Sequence, residues 1–145
     1  MARWLAGLLL VSSLPLHAAT PVALAPGEYD LTTQTVLPHL EEALRYATTR
    51  TRQCLDRPDA TDLFPLLRHQ AFTGCKLVPS AGASDGRHFV LQCANPEAAS
   101  GAAAFEVDAG HVSAVLDLKM GGKNMTLSQR LRGPRVGPCP DSAAK

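Results

Sequence analysis

Apolar and polar residues alternate with a period of two over much of the chain, and the alternation is clearest from His111 to Arg132. Val112, Ala114, Leu116 and Leu118 fall on one side of this stretch, and Ser113, Asp117 and Lys119 fall on the other. Gly121-Gly122 divides it into two runs, and such a pair favours a two-residue hairpin turn. A turn at that pair sets Leu118 opposite Met125, Leu116 opposite Leu127 and Val112 opposite Leu131 on a buried side. Lys119, Asp117 and Ser113 then face Asn124, Thr126 and Arg130 on the watered side. A slip of one residue would exchange the two faces, so the register is strongly specified.

The same reading extends along the chain. Tyr29, Leu31, Thr33 and Thr35 share one side of a first strand that Pro38 stops. His39 to Tyr46 carries Leu40, Ala43 and Leu44 at helical spacing, enough for one short turn. A threonine-rich second strand covers Ala47 to Leu55. Asp56-Arg57-Pro58-Asp59 has the acid and early proline of a helix start, which predicts a helix to about His69 with a break near Phe64, ahead of Pro65. Leu63, Leu66 and Leu67 form its buried stripe. Further strands are predicted over Phe72 to Val78, Arg87 to Cys93 and Ala102 to Asp108. The last turns through Ala109-Gly110, which sets Val107 opposite Val112 and Phe105 opposite Ala114. Two adjacent hairpins thus agree on one buried face. The tail from Gly133 to Pro140 is too rich in glycine and proline for a regular element and needs Cys139 to pin it. The expectation is an all-β domain, an antiparallel meander of about seven strands able to curl into an open barrel, with one short helix between the second and third strands.

The N-terminus has a different character. Arg3, an apolar run from Leu5 to Leu16, and the small residues Ala18-Ala19 have the order of a cleaved signal peptide over residues 1–19. The run is too short to span a bilayer, so the protein is expected not to be membrane-spanning. Residues 20–145 then make one domain, delivered to the periplasm or secreted. The chain has fourteen Lys and Arg against thirteen Asp and Glu, and Arg3 leaves with the signal. That balance argues against nucleic acid as a partner.

Export changes the reading of the cysteines. Cys54, Cys75, Cys93 and Cys139 are spaced and even in number, which in an oxidising compartment means two disulfides. In a simple meander the end of the second strand meets the start of the third. This favours Cys54 with Cys75 and Cys93 with Cys139. The rival pairs Cys75 with Cys93 across a hairpin centred near Ser84, leaving Cys54 for Cys139.

Candidate chemistry is sparse. Met120 and Met125 are soft ligands suited to Cu(I), but Met125 points to the core while His111 lies on the other face, so methionine as core filler is the better reading. His39, Glu41 and Glu42 sit on a short turn without a second histidine at i+4. His69 and His88 have no sequence partners. No serine occupies a nucleophile elbow, and the loop from Ser80 to Gly86 lacks the lysine of a phosphate loop. Asn124-Met125-Thr126 matches a glycosylation sequon by chance. No catalytic residue, metal or cofactor is therefore expected. Arg130, Arg132 and Arg135 form a basic stripe, read first as a solvated strand face and otherwise as a surface for an anion.

Several short motifs carry a family resemblance. Pro26-Gly27-Glu28-Tyr29 precedes a threonine-rich strand, and Gln53-Cys54-Leu55 precedes the proline-started acidic segment. Cys75-Lys76, the strand-closing Cys93, Met120-Gly121-Gly122 with Met125, and Gly137-Pro138-Cys139-Pro140 follow in order. In this the chain resembles the domain of unknown function 3617 family of small exported bacterial proteins, with Tyr29 where the family usually carries tryptophan. The resemblance covers almost all of the mature chain and implies a periplasmic β-rich fold without a known activity. The functional expectation is a non-enzymatic binding or interaction module for an apolar or cell-envelope ligand held inside the curled sheet. The alternative is a hydrolase-like enzyme using a histidine and a carboxylate. N-terminal sequencing of the exported protein is expected to start at Ala19 or Thr20, and a start at Met1 would refute the signal segment.

Overall fold

The computed structural model describes residues 22–83, 86–108, 110–121 and 125–140. The signal segment, Ser84, Ala109, Gly122 and Asn124, on which parts of the sequence reading fall, lie outside the described residues.

Seven strands form one sheet: β1 (Gly27–Val36), β2 (Tyr46–Leu55), β3 (Cys75–Pro79), β4 (His88–Cys93), β5 (Ala99–Asp108), β6 (His111–Met120) and β7 (Met125–Gly137). Their order across the sheet is β2-β1-β7-β6-β5-β4-β3, and every neighbouring pair is antiparallel. The domain is all-β, as the alternation predicts. The run from β3 to β7 is a true meander. The chain's first strand, however, lies against its last, so β2 and β3 are the two edges and the sheet is not closed.

The hairpin of β6 and β7 keeps the predicted faces but not the predicted register. Leu118 pairs with Leu127, Ala114 with Leu131 and Met120 with Met125, a shift of two residues that leaves four between the strands. Gly121 does not open a two-residue turn. Its amide donates to the carbonyl of Ala98 at 2.9 Å, and it packs so closely on Glu97 that a Cβ there would meet the Glu97 carbonyl. An even shift preserves sidedness, so Leu116, Leu118, Leu127 and Leu131 are buried as expected.

The tail is also more regular than its composition suggests, for β7 continues through Gly133 and Pro134 to Gly137. Pro134 pairs with His111 of β6. On the other side, Asp30 and Leu31 of β1 pair with β2 but form no ladder pair with β7 among the described residues, so the missing N–H of proline falls in a gap. Gly133 fits the same gap. A Cβ on it would stand 2.7 Å from the Asp30 carbonyl oxygen.

The predicted helix between β2 and β3 is replaced by three short 3-10 turns, Thr61–Leu63, Pro65–Arg68 and Gln70–Phe72. The carboxylate of Asp59, not Asp56, accepts from the Thr61 amide at 2.8 Å. Strand order explains the change. Residues 56–74 must travel from one edge of the sheet to the other, six strand spacings or roughly 29 Å if flat. Tight turns with extended breaks advance further per residue than an α-helix does. The turns and the extended break at Phe64 also place apolar side chains on the sheet. Leu63, Phe64, Leu67 and Phe72 are buried, and Leu66 is half-buried. The Phe64 ring lies 5.5 Å from that of Phe105, which meets Phe89 edge-on at 5.4 Å. The Leu66 amide donates to Gln129 Oε1 at 3.2 Å, and Gln129 Nε2 donates to Thr35 Oγ1 at 2.8 Å. The space left by the small residues Ala103 and Ala114 is thus covered by the chain's own crossing segment.

The favoured disulfide pairing is overturned in favour of its rival. Cys75 joins Cys93, which is its direct cross-strand partner in β4, and Cys54 joins Cys139. The expected pairing required β2 beside β3. Instead Glu28 of β1 has Cys54 on one side and Gly137 on the other, so Cys139 reaches across the start of β1 to Cys54. The bridges span 85 and 18 residues, for which loop-closure entropy gives roughly 4.5 and 3 kcal/mol.

Phe64 is fully buried at the centre of this packing. Phe64→Ala is expected to cost about 3–5 kcal/mol in urea unfolding. A loss below 1 kcal/mol would mean that the crossing segment does not belong to the core.

Candidate functional site

The two faces of the sheet have separate tasks. One carries the core just described. On the other, directly paired residues line up in rows across the strands, since partners in an antiparallel pair point the same way. One row runs Arg50, Thr32, Arg132, Ser113, Glu106, and the next runs Thr48, Gln34, Arg130, Val115, Ala104, His88. The twist of the sheet folds the middle of these rows, from Thr48 of β2 to Ala104 and Glu106 of β5, into a groove of about 420 Å³.

Its lining follows from the sequence of β7 and its neighbours. Arg130 and Arg132 flank the buried Leu131, so both guanidinium groups project to the outer face, as the alternation predicts. Thr32, Gln34, Thr48 and Ser113 contribute neutral polar groups, and Glu106 contributes the one carboxylate of the lining. Ser113 Oγ donates to Glu106 Oε2 at 3.3 Å. Arg130 and Arg132 form neither a hydrogen bond nor an ion pair among the described residues. Two cations are therefore held in a groove whose one carboxylate, Glu106, bonds Ser113 and forms no ion pair with either of them among the described residues.

Arg135, the third member of the predicted stripe, lies apart from them. It pairs with Tyr29 just before an irregularity in the β1–β7 ladder, and its Nε donates to the Pro26 carbonyl at 2.9 Å. It closes over Gly27 and holds the chain's lead-in against the end of β7. Tyr29 itself donates its hydroxyl to the Ala25 carbonyl at 2.8 Å, and burial raises its pKa above the ordinary value.

Sequence reasoning missed the ion pair beside the groove. Asp30 of β1 and Arg50 of β2 pair through both carboxylate oxygens, with Nε to Oδ1 at 2.8 Å and NH2 to Oδ2 closing the fork. The hydrogen bonds from Arg50 hold the Asp30 carboxyl below its ordinary range, against partial desolvation, and the Arg50 and Arg52 charges add to the effect. By alternation Asp30 and Arg50 fall on the outer face of paired strands, Asp30 buried beneath the exposed Arg50, but finding the pair required knowing that β1 and β2 are neighbours in this register.

The remaining candidates stay separate. Met120 and Met125 face each other at the end of the β6–β7 hairpin, with Met120 against the core, while His111 is at the opposite end of β6. His69 accepts from the Ala71 amide at 3.2 Å as a local cap, and His39 is exposed. No histidine lines the Arg130–Arg132 groove. Among the described residues no group of three or more His, Cys, Asp or Glu could hold a metal ion, and no helix is long and apolar enough to cross a membrane.

The Asp30–Arg50 pair has a defined pH signature. Because the folded state lowers the Asp30 pKa, its contribution is present above the ordinary value of 3.8 and is lost as pH falls below that. Asp30→Asn is therefore expected to be less stable than the parent at pH 7, with the gap narrowing as pH drops towards 2. A gap constant from pH 7 to pH 2 in thermal unfolding would exclude this linkage.

No protein-family model, no curated protein and no solved structure matches the chain, so its function has to be read from the groove's own chemistry.

Proposed function

We propose that the protein is a non-enzymatic binding module of the periplasm or extracellular space, exported on a cleaved signal segment, whose outer-face groove holds an anionic ligand. The observation that carries this reading is the pair Arg130 and Arg132, two guanidinium groups in a groove of about 420 Å³ without an ion-pair partner among the described residues. Side chains two apart on a strand start roughly 7 Å from each other, a spacing at which two forks can share one phosphate or carboxylate group. Arginine suits this task because its planar donors pair bidentately with such groups. Thr32, Gln34 and Thr48 supply further neutral partners on the same face. The two disulfides fit an oxidising compartment. The formal net charge of +1 falls to zero when Arg3 leaves with the signal segment, which leaves little general attraction for polyanions, so selectivity would come from this groove.

Binding of inorganic phosphate to the mature protein, followed by backbone amide shifts in NMR, tests the proposal. Arg130→Gln/Arg132→Gln is expected to weaken binding about tenfold or more, and raising salt from 50 to 300 mM is expected to weaken it in the parent. Unchanged phosphate affinity in the double variant would remove the anion-binding reading.

A further inference from the structure

The groove does not end at the arginines. Val115 and Ala104 also line a second, shallower trough of about 210 Å³ that continues towards β4. Along it, Ala104 pairs with Val115 and Ala102 pairs with Val90, four apolar residues grouped on the face that the rest of the sheet gives to polar ones. Val115 is 38% exposed and Val90 39%. A watered strand face usually carries polar or large β-branched residues, whereas alanine is a poor strand former. Two alanines on the outer side of β5 sacrifice strand propensity and leave a low floor between the higher side chains of β4 and β6.

We infer that the ligand is an anionic amphiphile, its phosphate or carboxylate head at Arg130 and Arg132 and its hydrocarbon chain along Val115, Ala104, Ala102 and Val90. This rests on the anion-binding reading and adds the class of ligand. Charge fixes the direction of entry. Asp117 of β6, opposite Ala102, borders the trough beside the path of the chain and repels an anionic head there, while the unpaired guanidinium groups lie on β7 and His88 lines the trough on β4. From β7 to β4 is three strand spacings, roughly 14 Å, which an extended chain of about ten to twelve carbons spans. The groove is open to solvent along its length, so only one side of that chain would be covered. A gain of about twofold in affinity per methylene is expected, against about fourfold for full burial.

Titration calorimetry of the full mature protein with inorganic phosphate, butyl, octyl and decyl phosphate, below their aggregation concentrations, tests the inference. Affinity is expected to rise at each step, by about fourfold from octyl to decyl. Decanoate is compared with decyl phosphate, and the tighter of the two identifies a carboxylate or a phosphate head. Val90→Asn, a change at an exposed position outside the lining of the arginine groove, is expected to flatten the chain-length series while leaving inorganic phosphate affinity unchanged. Chain-length independence in the parent would overturn the amphiphile even if inorganic phosphate bound through Arg130 and Arg132. Equal binding of decyltrimethylammonium would overturn it as well, because it would show apolar adsorption without recognition of the head. Loss of arginine dependence for inorganic phosphate would instead defeat the anion-binding reading itself.

Discussion

Strand β1 sits between β7 and β2, and this antiparallel contact between the first and last strands sets the rest of the architecture. It makes β2 and β3 the two edges, so the chain must cross the whole sheet between them. It brings Cys54 and the segment leading to Cys139 to either side of Glu28. It also sets Thr32 and Gln34 beside Arg132 and Arg130, which completes the polar half of the groove. Without that contact, the same hairpins would give a simple meander with another disulfide pairing and no floor between β7 and β2. The approach depends on Gly133, whose missing side chain lets the two backbones come together at Asp30.

A sheet this size needs a cover for its apolar face, and here the cover is the crossing segment. Residues 56–74 contain little regular hydrogen bonding, yet they deliver Leu63, Phe64, Leu67 and Phe72 to the core. Polar contacts fix the segment in place. Thr61 Oγ1 accepts from the Leu77 amide at 2.9 Å, and Gln129 joins the segment to β1 through Thr35. Gln129 is 3% exposed, and both ends of its amide are satisfied, so its polarity costs little there. Because the inner face is occupied by the chain itself, the open groove lies on the other side of the sheet.

The period-two alternation made strand identity and sidedness legible. Leu116, Leu118 and Leu131 occupy the core, and Arg130 and Arg132 face out, because parity along a strand survives any even change of register. The register itself was not legible, since Gly121 is committed to Ala98 and Glu97, residues distant in sequence. Strand order was hidden for a related reason. The threonine-rich β1 contains nothing that names β7 as its neighbour, and the Gly133-Pro134 step reads as a break until its place opposite the Asp30 gap is known. The disulfide pairing followed that order and failed with it. Of the site, the two arginines were legible and their groove was not, because Ala104, Val115 and Thr32 meet only across three ladders.

Strand β2 has a ladder on one side only, and nine of its ten residues lie outside the core. Such a strand is a template for another strand of its own kind, and a long, unguarded one invites copies of the chain to join edge to edge. A two-fold pairing of that type keeps the outer faces on one surface, where Arg50 and Arg52 of both copies would crowd together. Asp30 forks with Arg50 and lies opposite Arg52, so one carboxylate serves two arginines in each copy. The excess positive charge of this border therefore guards it, together with the hydroxyl-bearing threonines around it, and an acidic replacement of Arg52 would turn a self-repelling rim into one that attracts its twin.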